Sequence, residues 1–290
     1  MKQSEFLKIT ILFELTMNAK QEYINIHKLV KKSNSKFLKR LPDFMISLIK
    51  IIIRQNEINR ILSVYADYEG VDFLPKIISE LNINVEIEGM ENLPENGKCF
   101  FVANHPFGFI DGLILTNTIA GKYGNFKAIG NDIFTLVPQI KPIIAAVHVF
   151  GSNPREYLLE LEKVFASDLP ITHFPAGMVS RLNGFAIEDK VWHKSFITKA
   201  IEHQRDVVPF FFFGRNSRLF YIVYFVRKIL GIKTNLELVL LPREIFNKRN
   251  KTIKVRIGSP IAYQTFKNTK SHYEWAQSVK QQVYKLKEAI

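Results

Sequence analysis

Three apolar runs in this chain stop at the same punctuation, and that repetition constrains the fold more than any other feature. Cys99-Phe-Phe-Val-Ala103 leads into Asn104-His105-Pro106-Phe107-Gly108. Ile171-Thr-His-Phe174 leads into Pro175-Ala176-Gly177. Val208-Pro-Phe-Phe-Phe-Phe213 leads into Gly214-Arg215-Asn216-Ser217. A continuous apolar run of this length suits a strand buried on both faces, as in parallel sheets. Pro and Gly then halt the ladder, and polar residues follow. Strands that end alike deliver those polar residues to one edge of the sheet, where open α/β folds place ligands.

Further strand-like runs occur at 126–130, 143–150, 236–241 and 253–257, and residues 84–88 alternate as a half-buried strand does. Helical spacing marks 72–81, 111–120, 155–166, 191–203 and 272–288. Strands alternating with helices predict an α/β domain over residues 83–290, with a mixed, largely parallel sheet flanked by helices. Residues 1–82 are expected to form an N-terminal helical, membrane-interfacial region. Within it, Leu41, Phe44, Met45, Leu48, Ile49 and Ile52 fall on one helical face over 41–56, with Pro42 near the start and Lys39, Lys50 and Arg54 opposite. Nine Lys and Arg lie between Lys28 and Arg60, against Asp43 and Glu57. An apolar helix with a basic rim suits the interface of an anionic bilayer. A helix packed on its own domain with a solvated charged face gives the same pattern.

The net charge of +13 points to an anionic partner: nucleic acid, anionic lipid or a phosphorylated substrate. The basic residues are scattered rather than gathered in an aromatic-interleaved stripe, which disfavours nucleic acid. The 24 Phe raise the prospect of a lipidic ligand or a membrane surface. No stretch reaches about 18 uncharged apolar residues, so no spanning helix is expected. The first twenty residues carry Lys8 and Glu14 within their apolar run and do not read as a signal peptide. A single cysteine, Cys99, allows neither an intrachain disulfide nor a Cys-based zinc site, and the cytosol is the simplest compartment.

His105 and Asp111 are the candidates for chemistry: a base delivered by a buried strand onto a turn, with a carboxylate to orient it. A satisfied structural His is the plainer alternative. A helix starting at Asp111 would bring N–H groups and a positive dipole near His105. Gly177 permits close approach of backbone to a ligand, and Arg181 supplies a planar fork suited to phosphate or carboxylate. There is no G-x-S-x-G elbow, Walker loop, dinucleotide glycine fingerprint or H-E-x-x-H, which disfavours the enzymes those motifs mark.

The block Asn104-His105-Pro-Phe-Gly-Phe-Ile-Asp111-Gly112, followed about 60 residues later by Phe174-Pro175-Ala176-Gly177-Met-Val-Ser180-Arg181, resembles the glycerolipid acyltransferase superfamily. That superfamily includes the lysophosphatidate acyltransferases. The likeness is closer to its bacterial hemolysin-like, or lyso-ornithine-lipid acyltransferase, branch, and it covers roughly residues 37 to 260. The resemblance implies an O-acyltransferase that moves a fatty acyl group from an acyl thioester to a hydroxyl of a lysolipid. The co-substrate would be acyl-CoA or acyl-ACP, with no bound cofactor and no metal. His105 would be the general base and Asp111 its orienter, and direct attack would need no enzyme nucleophile. Asn104, Gly108, Phe174, Pro175, Gly177, Ser180 and Arg181 would bind substrate, joined by Arg215 and Asn216 of the third turn. Backbone N–H groups near Gly177 or at the helix start would hold the oxyanion.

The partners implied are a lysolipid acceptor, acyl-CoA or acyl carrier protein, and an anionic membrane surface, with no nucleic acid. The place implied is cytoplasmic, peripheral on the inner membrane. Five residues separate His105 from Asp111 where the common pattern has four, as in the hemolysin-like branch. Ala176 stands where the common pattern has a Glu associated with a glycerol-phosphate head, which favours another head group such as an amino-acid lipid. Gly130-Asn131-Asp132-Ile133-Phe134 keeps little of the family's other acceptor-side block. The rival reading is a non-catalytic membrane- or lipid-binding protein that retains the fold.

Overall fold

The computed structural model describes residues 22–32, 39–148, 154–184 and 186–288. Nine strands are described: β1 (Asn84–Glu88), β2 (Cys99–Ala103), β3 (Lys127–Asn131), β4 (Ile144–Val147), β5 (Ile171–His173), β6 (Arg181–Asn183), β7 (Ala186–Glu188), β8 (Asp206–Phe212) and β9 (Thr252–Ile257). Seven of them form one sheet in the order β1-β9-β8-β2-β5-β3-β4, and β6 pairs with β7 in a separate hairpin. Every pair in the large sheet is parallel except β8 with β9. The expected α/β class with a mixed, largely parallel sheet is what the chain adopts.

The helices are α1 (Ile26–Lys32), α2 (Asp43–Ile52), α3 (Gln55–Val64), α4 (Phe73–Glu80), α5 (Phe109–Tyr123), α6 (Arg155–Ala166), α7 (Ser195–Glu202), α8 (Arg218–Ile229), α9 (Leu241–Phe246) and α10 (His272–Lys285). They cover both faces of the sheet, and β2 shows why. Its five residues are all buried. Cys99, Phe101 and Ala103 enter one core with Val208, Phe210 and Phe212 of β8 and the apolar stripe of α5. Phe100 and Val102 enter the other, with Phe196 and Ile197 of α7 and Val279 and Val283 of α10. Period-two alternation thus feeds two hydrophobic layers from one strand, which requires apolar residues at every position. Packing runs across residue 82, because Ile61 and Leu62 of α3 and Phe73, Leu74 and Ile77 of α4 share the first core with β2.

Several expectations need correction. The single helix over 41–56 is broken at Arg54, which takes a left-handed conformation (φ 58°) and lays its guanidinium 4.9 Å from the Phe246 ring. The break re-aims the chain, so that α3 buries Ile61 and Leu62 while α2 leaves Phe44 and Leu48 exposed. The strand expected over 236–241 is instead a 3₁₀ turn at Leu236–Leu240 running into α9. Pro242 at the start of α9 has no N–H to give a ladder and suits a first helical turn. Residues 218–229, to which no element is assigned from the sequence, form α8. The run at 143–150 shortens to β4, and its last two residues, like the first twenty of the chain, lie outside the described residues. The helix expected from 111 begins earlier, at Phe109. Among the described residues no helix is long and apolar enough to cross a membrane.

Candidate active site

β2 ends at Ala103, and the next residue keeps the chain attached to β8. The Asn104 side-chain amide donates to the Phe212 carbonyl at 3.0 Å, and its oxygen accepts from the Phe212 N–H at 2.7 Å. Asn104 thereby extends the β2–β8 pairing by one step through its side chain, and both of those groups are engaged within the protein.

The turn that follows is organised by Asp111, which is fully buried. Its carboxylate accepts from the N–H groups of Phe107 at 3.0 Å and Gly108 at 3.2 Å, a capping arrangement at the start of α5. The same carboxylate lies 2.8 Å from His105 Nδ1. A carboxylate accepts, so the pair places the imidazole proton on Nδ1 and leaves the Nε2 lone pair for a substrate proton. The Phe174 ring stacks on the imidazole with centroids 4.1 Å apart and planes inclined by 26°. The His105 side chain keeps 17% of its surface exposed. Pinned on one edge and stacked on one face, the ring has little rotational freedom left.

Two glycines make the turn possible. Gly108 has φ +93°, and a Cβ there would lie 3.2 Å from Leu241. At Gly214, after β8, a Cβ would lie 2.3 Å from Phe107 Cζ. The third turn therefore supports the first by closing a bare backbone against the Phe107 ring.

A second buried carboxylate, Asp189, joins the two sequence blocks. It accepts from the His105 N–H at 3.1 Å, the Ser180 hydroxyl at 2.6 Å and the Trp192 indole at 2.9 Å. Burial pushes its carboxyl upward, opposed by the bonds from Ser180 and Trp192 and by the nearby His105. The Ser180 N–H donates in turn to the His105 carbonyl at 2.8 Å. Asp189 escapes a sequence reading because Glu188-Asp189-Lys190 reads as a solvated charged run.

The remaining candidates divide. Ser180 and Arg181, expected at the acceptor's head, are both buried with their polar groups engaged inside the protein. The Arg181 guanidinium pairs with Glu237 at 3.1 Å, donates to the Val179 carbonyl at 2.6 Å and lies over the Phe220 ring. The nearest candidate oxyanion donors are also spent. Phe107 and Gly108 donate to Asp111, and the Gly177 N–H donates to the Phe174 carbonyl at 2.9 Å. The Pro175 carbonyl accepts from the His193 N–H at 2.9 Å. Arg215 is exposed, and its carbonyl accepts from Lys248 Nζ at 2.7 Å. Asn216 is buried, and neither polar atom of its side chain has a hydrogen-bond partner among the described residues. In the 130–134 block, Asn131 caps the following 3₁₀ turn and Phe134 packs on Phe109. Cys99 is buried with its thiol pushed up to about 12 by burial, which makes it a core residue and not a nucleophile.

Behind the second turn, His173 faces Phe196 and its Nδ1 is buried without a hydrogen-bond partner among the described residues. Burial, then the neighbouring His193, pushes its pKa down from 6.5 to about 3. The unfolded chain takes up a proton below about 6.5 and the folded chain does not, so stability falls as pH drops through that range. The loss at pH 5 amounts to about 2 kcal/mol. His173→Phe is expected to remove that share of the acid sensitivity. Urea melts at pH 7.5 and 5.0 check it, and an equal pH dependence in the two proteins would refute it.

A His on the turn after a buried strand, held by a buried carboxylate at the edge where parallel strands end, has a geometry suited to proton transfer. The family model described as "Acyltransferase" matches residues 28–290, and the chain belongs to that family. It is 44% identical over 264 residues to a lyso-glycine lipid O-acyltransferase of Phocaeicola vulgatus, covering 91% of this chain and 95% of that one. It is 39% identical over 264 residues to a protein of the same name from Bacteroides thetaiotaomicron, covering 91% and 97%. Among solved structures, the 1-acyl-sn-glycerophosphate acyltransferase of Thermotoga maritima superposes with a TM-score of 0.47 at 17% identity, covering 85% of this chain and 90% of that one.

Proposed function

We propose that this acyltransferase esterifies a hydroxyl of a lysolipid with an amino-acid head, of the lyso-glycine lipid type, using an acyl thioester of CoA or acyl carrier protein. The observation that carries the reading is the His105–Asp111 pair, with Nδ1 held by the carboxylate and Nε2 without a hydrogen bond among the described residues. In this mechanism Nε2 takes the acceptor's hydroxyl proton as the oxygen attacks the thioester carbonyl. The C–O bond forms, the tetrahedral intermediate collapses, the C–S bond breaks, and the imidazolium returns the proton to the departing thiolate. Asp111 holds the tautomer and stabilises the imidazolium. Base catalysis of this kind contributes about 10²–10⁴-fold.

Arg215 and the unpartnered carboxamide of Asn216 are the groups we place against the acceptor's polar head, while Gly108, Pro175 and Gly177 shape the turns beside it. Ala176 and the names of the two relatives support an amino-acid head over glycerol phosphate. The net charge of +13 and the exposed apolar helix α2 support peripheral binding to an anionic membrane, on the cytoplasmic face of the inner membrane.

The test is a product assay by mass spectrometry with the purified chain. It offers lyso-glycine lipid or lysophosphatidate, each with acyl-CoA or acyl-ACP. We expect a kcat/KM about tenfold or more higher for lyso-glycine lipid. Faster turnover of lysophosphatidate overturns the acceptor, and no product with any pair overturns the enzyme reading in favour of a non-catalytic lipid-binding protein.

A further inference from the structure

α8 turns outward an apolar stripe that the other described residues leave exposed. Phe220, Tyr221 and Tyr224 face inward and are buried. Leu219, Ile222, Phe225, Val226, Ile229 and Leu230 face outward, with Ile222 57% and Ile229 68% exposed. α2 does the same, burying only Ile46 while Phe44 and Ile51 stand 72% exposed. The two helices meet, because Ile51 and Ile52 line one shallow cleft with Leu219 and Leu240. Isolated exposed apolar residues are ordinary, but a contiguous pair of stripes is the signature of an interaction surface.

The charges around the surface say what covers it. Five Lys and Arg and no acidic residue lie between Gly214 and Asn235. Arg54 and Arg243 line the same cleft as Ile51. At 12 residues, α8 is about 18 Å long, too short to span a bilayer and suited to lying in its interface.

The surface is also tied to the chemistry. Ser217 caps α8 through its hydroxyl, three residues beyond Gly214, against which Phe107 packs. Both the Ser217 N–H and its hydroxyl donate to Glu244. Glu237 pairs with Arg181 from the second turn and with Arg227 from the last turn of α8, at 3.1 and 2.8 Å. Val179 of the second turn packs with Phe220, Tyr221 and Leu240.

We propose that α8, jointly with α2, is immersed in the interface of an anionic phospholipid bilayer, and that the Arg181–Glu237–Arg227 cluster clamps it to the catalytic turns. This rests on the membrane reading given above and goes beyond it. It makes α8 a second immersed element beside α2.

The experiment is co-flotation of the full chain with phosphatidylglycerol/phosphatidylethanolamine vesicles, comparing the wild type with I222S/F225S/I229S and with F44S/L48S/I51S. Each lost immersed side chain is worth roughly tenfold in partition. Each triple variant is therefore expected to bind at least on the order of 100-fold more weakly, with thermal melting unchanged and turnover of a detergent-dispersed acceptor retained. As a single-site probe, the indole introduced by F225W should shift its emission to the blue on vesicles and be quenched by doxyl-labelled lipid. An α8 triple variant that floats like the wild type, with unquenched emission from the F225W probe, overturns the role of α8 and leaves the membrane reading intact. Failure of the wild type to float overturns the membrane reading itself. A wild-type dimer that the α8 substitutions convert to a monomer, with flotation unchanged, assigns the face to a second copy and overturns the proposal.

Discussion

His105→Ala is expected to reduce acyl transfer by about 10²–10⁴-fold in kcat while leaving KM for the acyl donor nearly unchanged. In the proposed mechanism the imidazole touches the reacting hydroxyl and contributes little to holding the thioester. Its removal also costs little in folding, since the ring is partly exposed and its backbone N–H and carbonyl keep their partners, Asp189 and Ser180. Asp111→Asn should also lose activity, on the order of 10³-fold or more. An amide facing Nδ1 no longer selects the tautomer that leaves Nε2 free. This variant also weakens the acceptor for two backbone N–H groups, so its thermal melt has to be read beside its kinetics. A His105→Ala protein that turns over lysolipid at the wild-type rate would end the base assignment.

Glu237→Ala is expected to destabilise the fold by about 3–5 kcal/mol, because it strands the buried guanidinium of Arg181 and unpairs the half-buried one of Arg227. Glu237 is fully buried and Arg181 is 3% exposed. Desolvation already pushes the Arg181 guanidinium downward, and Glu237 is the chief influence restoring it. Replacing all three charged groups by apolar residues, E237M/R181M/R227L, should recover much of the loss, since a well-packed apolar cluster avoids the desolvation cost altogether. Chemical denaturation of the single and triple variants decides the matter. A single variant within about 1 kcal/mol of the wild type would mean that the cluster does not hold α8.

The parallel strands were legible because burial on both faces demands apolar residues, and 99–103 and 207–213 meet that demand, whereas Thr172 and His173 interrupt 171–174 and its Pro-Ala-Gly ending marked it instead. The His105 turn was legible because Pro106 and Gly108 can only interrupt a ladder, and a His and an Asp flank them. Other elements were hidden for equally specific reasons. Residues 218–229 are rich in Phe, Tyr, Val and Ile, types that favour strands, yet they wind into α8. Residues 236–241 look like a strand, but buried Glu237 is drawn to two arginines and the segment turns instead. The bend at Arg54 has no local signal, since it depends on Phe246, far away in the chain.

The site divides along the same line. From the sequence alone came the class of fold, the His–Asp pair and the departure at Ala176, all of which depend on residue type and on neighbours close in the chain. Tertiary structure alone decided which polar side chains remain available. Asn104 is spent on β8, Ser180 on Asp189 and Arg181 on Glu237, while the Asn216 carboxamide has no partner among the described residues. A hydrogen-bond partner 9, 56 or 108 residues away leaves no trace in local spacing, so neither those commitments nor the role of Asp189 was readable before the chain was folded.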